Sequence, residues 1–250
     1  MKNYSELEEK VNDILKDKCE LLPKLKKCNL RRLDFCFNAK LDNQEQVKTY
    51  IKAIKRANVP SKLELYEQYD KTSKRTKPTK DDFTVYSSEY VSISVYNKYM
   101  EMKKEKSGVF PYDELERAKN IVRIEIRCME GKIHTLKKKY DIKSISEFMS
   151  HGKKIGNELY NYYLTKICNN GAIYTLKEAL SRVDYSEYKP GNIKLLKEFL
   201  RECNESRSVA DTVKLYKNIY GKSEVKRIIF MLDNIETNYL TVTNADTKLF

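Results

Sequence analysis

Two short runs alternate apolar and polar side chains strictly at period two: Arg31–Asn38 (RRLDFCFN) and Ile121–Cys128 (IVRIEIRC). Strands put successive side chains on opposite faces, so each run reads as a half-buried strand. In the first, Leu33, Phe35 and Phe37 share one face, leaving Arg32, Asp34, Cys36 and Asn38 on the other. In the second, Val122, Ile124, Ile126 and Cys128 oppose Arg123, Glu125 and Arg127. Each polar face centres a carboxylate and flanks it with arginine. Two uses fit that pattern. Opposite charges across neighbouring strands stabilise a solvated sheet surface. Alternatively, Asp34 and Glu125 supply oxygen ligands for a hard divalent cation, with arginines beside it to receive phosphate.

The rest of the chain surrounds these strands with helices. Residues 5–17 carry a helical stripe, and Asp42 and Asn43 cap a helix through about Ala57 whose stripe is Val47, Tyr50, Ile51 and Ile54. A strand-like stretch, Lys62 to Tyr69, leads into the basic loop Lys71–Lys80, which includes Lys74 and Arg75; it reads as a solvated hairpin tip or as a DNA-contacting finger. Two further strands, Phe83–Ser87 and Val91–Tyr99, place Ser92, Ser94, Tyr96 and Lys98 on one face. From Lys132 onward the pattern is helical, in segments near 132–140, 144–150, 153–168, 172–180, 191–203, 208–219 and 223–234, with Asp211 and Ser223 where caps belong. Strands followed by helices indicate an α+β fold, an antiparallel sheet with packed helices followed by a helical C-terminal region. The expected division is an α+β catalytic and DNA-binding domain over 1–168 and a helical region over 169–250.

Composition narrows the function. Lysine and arginine number 49 against 36 acids, for a net charge of +13. Such a surplus favours a polyanionic partner, nucleic acid before anionic membrane. No apolar run reaches membrane-spanning length and no signal-peptide core follows Met1, so a cytoplasmic protein is expected. The six cysteines form no C-x-x-C pair, which argues against a zinc ribbon or a redox motif. The glycines form no P-loop or dinucleotide fingerprint.

The order RRLDFCFN, a helix ending at Pro60, ISVYNKYMEM (93–102) and VRIEIRC (122–128) resembles the rolling-circle replication initiators of plasmids and filamentous phages. KRIIFMLDNIETNYLTVT (226–243) is similar to the helical tail of the phage and plasmid replication-protein branch. The resemblance implies a metal-dependent nickase and strand transferase. A tyrosine attacks an origin phosphodiester, becomes linked to the 5′ phosphate and leaves a 3′-OH for synthesis. It implies Mg²⁺ or Mn²⁺ on Asp34 and Glu125, and His134, which follows the Glu125 strand, reads as a third ligand or as a polar surface residue of a helix. The His-hydrophobic-His pair usual in the superfamily is missing, since His134 and His151 are the only histidines. Tyr140 is expected as nucleophile and Tyr163 second, with Lys98 at the scissile phosphate. Y-x-x-K settings recur at Tyr140, Tyr163 and Tyr174 and do not discriminate between them. Arg32, Arg123, Arg127, Lys137, Lys138, Lys74 and Arg75 are the expected DNA contacts. Single-stranded or origin DNA is the implied partner, and the C-terminal helices are left to duplex DNA, a host helicase or the sheet itself. A non-cutting DNA-binding protein of the same ancestry is the alternative.

Overall fold

The computed structural model describes residues 29–60, 62–65, 68–70, 75–77, 83–104, 110–169, 171–206 and 208–242, with 6, 9–11 and 13 singly. These last five are helical, and the rest of the helix expected over 5–17 lies outside the described residues. The strands are β1 (Arg32–Lys40), β2 (Glu64–Leu65), β3 (Gln68–Asp70), β4 (Arg75–Lys77), β5 (Phe83–Ser87), β6 (Val91–Asn97) and β7 (Ile121–Met129). The helices are α1 (Gln44–Arg56), α2 (Lys98–Lys104), α3 (Tyr112–Ala118), α4 (Glu130–Lys139), α5 (Ile145–Cys168), α6 (Leu176–Asp184), α7 (Pro190–Glu205), α8 (Val209–Tyr220) and α9 (Lys222–Asn234).

Five strands form one antiparallel sheet in the order β1-β7-β6-β5-β2, so the protein is α+β. The period-two runs become the adjacent strands β1 and β7. Arg127 reaches Asp34, and Arg123 Nε donates to Asn38 Oδ1 at 2.9 Å. Moving four residues back along β7 moves four forward along β1, which only antiparallel pairing allows. Val122, Ile124, Ile126 and Cys128 are all buried, while the alternate residues of β7 keep partial exposure. Burial also pushes the Cys128 thiol up to about 12, so it packs as a small apolar group.

The chain packs as two compact units. One comprises 1–35, 89–92 and 126–161; the other comprises 36–88, 93–125 and 162–250. In the first, α4 buries Ile133 and Leu136, and α5 buries Phe148, Ile155 and Leu159 along its stripe. In the second, Asn43 caps α1 by accepting from Gln46 N at 2.9 Å. Val47, Tyr50, Ile51 and Ile54 of α1 are buried, and Tyr86 donates its hydroxyl to Ile54 O. Helices α6 to α9 pack in succession around Phe199, which meets Tyr216 and Tyr239 edge-on.

The structure departs from the expected elements in several places. Segments 144–150 and 153–168 join into one 24-residue helix. A single glycine in a helix costs about 1 kcal/mol, which the continuous apolar stripe through Gly152 outweighs. The segment expected at 172–180 starts at Leu176, because Thr175 and Glu178 form a reciprocal capping box; Ala172 and Thr175 instead bridge to Thr237 and Val242. The caps of α8 and α9 are Ser208 and Gly221, not Asp211 and Ser223; Asp211 takes the third helical position, and Gly221 has φ +86°. Strand β6 ends at Asn97, whose Oδ1 accepts from Met100 N at 3.2 Å, so Lys98 opens α2 rather than extending the strand. The basic loop also contains strand: β4 pairs antiparallel with β3, Asp70 opposite Arg75.

Truncating Phe199 to Ala empties the centre of the C-terminal helices. Large-to-small changes at fully buried aromatics cost about 3–5 kcal/mol, so Phe199→Ala is expected to lower the urea midpoint accordingly. Thr175→Ala, which removes one cap, should cost about 1 kcal/mol in the same measurement.

Candidate active site and nucleic-acid interface

Tyr140 sits at the C-terminal cap of α4, where the helix ends and the side chain leaves the Ile133–Leu136 stripe half-exposed. Its hydroxyl donates to Glu158 Oε2 on α5. Lys139 Nζ binds the same carboxylate oxygen at 2.7 Å and lies 4.9 Å from the Tyr140 ring centre. Lys154, one turn before Glu158, approaches the ring to 5.7 Å, and the His151 ring lies 6.4 Å away. All five side chains belong to the first unit. The phenol's pKa is raised, first by desolvation and then by the bond to Glu158, with Lys139 pulling the other way. Lys139 holds the Glu158 carboxyl below its ordinary value. The arrangement therefore pairs a neutral phenol with an ionised acceptor for its proton and two ammonium groups beside both.

Tyr163 has only 7% of its surface exposed and stacks edge-on against Tyr162 at 5.0 Å. Lys166, its Y-x-x-K partner, lies over the Tyr162 ring instead, at 4.4 Å. Lys98 Nζ pairs with Glu101 at 2.6 Å one turn along α2.

The carboxylates are engaged differently. Asp34 lies in the first unit and takes a bidentate contact from the Arg32 guanidinium, with Nε at 3.0 Å from Oδ1, plus Arg127 Nε at 3.4 Å. The Arg32 hydrogen bond, outweighing partial burial, pulls its carboxyl below the ordinary carboxylate range. Glu125 lies in the second unit and accepts the Tyr96 hydroxyl at 3.0 Å. Desolvation first, then Glu125, raises the Tyr96 phenol. His134 is exposed on α4. Among the described residues no three His, Cys, Asp or Glu side chains group closely enough to hold a metal ion. A cation on Asp34 would have to displace two guanidinium groups, so these residues as arranged do not fit Mg²⁺ or Mn²⁺.

Of the expected DNA contacts, Arg32, Arg123 and Arg127 line the polar side of β1 and β7. Lys137 and Lys138 lie in the last turn of α4, with Lys138 exposed. Lys74 and the side chain of Arg75 lie outside the described residues. Sequence reasoning missed Glu158 and Lys154, because eighteen residues and a helix-to-helix turn separate Tyr140 from its acceptor. Elsewhere in the first unit, Tyr90 is 52% exposed beside Gly131. A Cβ on Gly131 would sit 2.5 Å from Tyr90 Cδ1, so a side chain there would push the ring aside.

The polar side of β1 and β7 and the end of α4 thus carry arginines, lysines and a hydrogen-bonded tyrosine, groups whose donors suit phosphate oxygens. A family model described as the N-terminal part of a phage replication-associated protein matches residues 2–151. The chain belongs to that family, the rolling-circle replication initiators of filamentous phages. No curated protein and no solved structure matches it. Among the described residues no helix is long and apolar enough to cross a membrane.

Two outcomes follow from the geometry. Gly131→Ala should displace the Tyr90 ring, and a thermal-unfolding cycle with Tyr90→Ala should read the coupling as non-additivity. The Tyr140 phenol should titrate above about 10, the ordinary tyrosine value, in ¹³C-tyrosine NMR, and Glu158→Gln should move it down. Because the folded-state pKa is raised, the stability from the Tyr140–Glu158 bond is fully present below the unfolded value. It is lost as pH rises through the folded one.

Proposed function

We propose that the protein nicks single-stranded origin DNA through Tyr140. The observation that carries this reading is the Tyr140 hydroxyl bonded to an ionised Glu158, with Lys139 on the same carboxylate and Lys154 at the ring. A phenol with a raised pKa is a weak nucleophile at neutral pH and needs a base in hydrogen-bond reach. Glu158 fills that role: it takes the phenolic proton as Tyr140 oxygen bonds to phosphorus. The P–O3′ bond breaks, the 5′ phosphate stays on Tyr140, and the departing 3′ oxygen takes a proton from solvent to become the 3′-OH. Lys139 and Lys154 stabilise the extra negative charge of the transition state. Arg32 and Arg127 offer the planar donors that suit phosphate. Tyr163, buried beside Tyr162, is the weaker choice.

The alternative, a DNA-binding protein that does not cut, draws support from one observation: Asp34, the first expected metal ligand, is held by two arginines. The deciding experiment is a labelled single-stranded oligonucleotide pool incubated with Mn²⁺, with Mg²⁺ or with EDTA, and scored for a covalent protein–DNA adduct. Wild type should form the adduct and Tyr140→Phe should abolish it. Glu158→Gln should slow it by about 10²–10⁴-fold, the range for removing a general base. Tyr163→Phe should retain it. Salt-sensitive binding with no adduct in any cation would establish the non-cutting reading instead.

A further inference from the structure

The second unit holds a cleft of about 700 Å³ between the exposed side of α1 and residues 241–242. Lys48, Lys52 and Arg56 line it at intervals of four residues, with Thr49 between them, and Glu45 is the one acid among the described residues of its wall. Four residues of α-helix advance about 6 Å, close to the step between successive phosphates of a nucleic-acid strand.

Arg56 is the unusual member. Its Nη2 donates to Cys203 O and Asn204 O, both at 2.6 Å, in the last turn of α7. Two carbonyls hold the guanidinium in place but bring no formal negative charge. Among the described residues Arg56 forms no ion pair, although it is half-buried. A partly desolvated cation without an anion is an incomplete arrangement, and its free donors suit a phosphate oxygen. The opposite wall is equally fixed: Thr241 Oγ1 donates to Asn204 Oδ1 at 3.0 Å, and Val242 N donates to Tyr174 O at 3.0 Å. The cleft therefore has two pinned walls, a cationic column and one anchored arginine.

We propose that this cleft is a second, non-catalytic DNA site, in which Lys48, Lys52 and Arg56 grip successive phosphates of one strand. The inference rests on the replication role of the family and is independent of which residue cuts.

Fluorescence anisotropy of a labelled mixed-sequence oligonucleotide with the full chain, over a salt series, tests it. Each phosphate contact contributes about 0.7 to the slope of log affinity against log salt for single strands. Lys48→Ala/Lys52→Ala should therefore flatten the slope by about 1.4 and weaken binding at least tenfold at low salt. Lys48→Glu, at an exposed helix position, should weaken binding with an unchanged melting curve. Arg56→Gln should weaken it as well. Wild-type affinity and slope in Lys48→Glu and Arg56→Gln would overturn the proposal, and equal losses on a duplex would overturn its single-strand assignment. Binding lost in the cleft variants when wild type forms no adduct would sink the nicking reading and keep this one. An adduct from wild type with unchanged binding in the cleft variants would do the reverse.

Discussion

Burial of one face of β7 sets the terms for the rest of the molecule, because Val122, Ile124, Ile126 and Cys128 all leave solvent together. At about 1.5–3 kcal/mol for each fully buried aliphatic side chain, that face outweighs any ion pair on the opposite side, where exposed pairs contribute about 0–1 kcal/mol. A one-residue slip would drive Arg123, Glu125 and Arg127 into the core and bring the aliphatic set out. The register is thus decided by the apolar face, and the polar face inherits its positions. Arg127 meets Asp34 and Arg123 meets Asn38 as a consequence of that pairing, not as its cause.

The polar side of the sheet shows how the same alternation serves two uses. An arginine–carboxylate pair beside Asp34 lowers its pKa and satisfies it, which makes it a sound surface partner and a poor open ligand for a hard cation. Glu125 accepts a phenol rather than a guanidinium. The Tyr140 group is arranged differently: its carboxylate, Glu158, receives both a phenol and an ammonium, so the charge balance and the proton path meet at one oxygen. Tertiary packing of α4 against the middle of α5 creates that meeting point.

Much of the fold was legible because period-two and 3.6-residue patterns are local. The β1 and β7 runs, the α1 stripe through Val47, Tyr50, Ile51 and Ile54, and the Asn43 cap all follow from spacing and propensity within one segment. The departures have equally local causes. Asn97 ends β6 with its own side chain, Thr175 and Glu178 move the start of α6, and Gly152 does not interrupt a helix whose apolar stripe continues past it. The site was less legible. Tyr140 lay on a helical stripe with Ile133 and Leu136, and only the end of α4 at Lys139 frees its ring from the core.

The sequence by itself determined that two charged, half-buried strands would form, that helices would follow, and that the surface would be strongly cationic. Alternation, capping and net charge are properties of short windows or of plain composition, and they do not depend on where distant residues end up. Tertiary structure decided that Tyr140 meets Glu158 and Lys139, that Asp34 is shared between two arginines, and that Arg56 is anchored by the carbonyls of Cys203 and Asn204. Each of these depends on distances between groups far apart in the chain. Those distances are set by how helices and strands pack, and no local pattern encodes them.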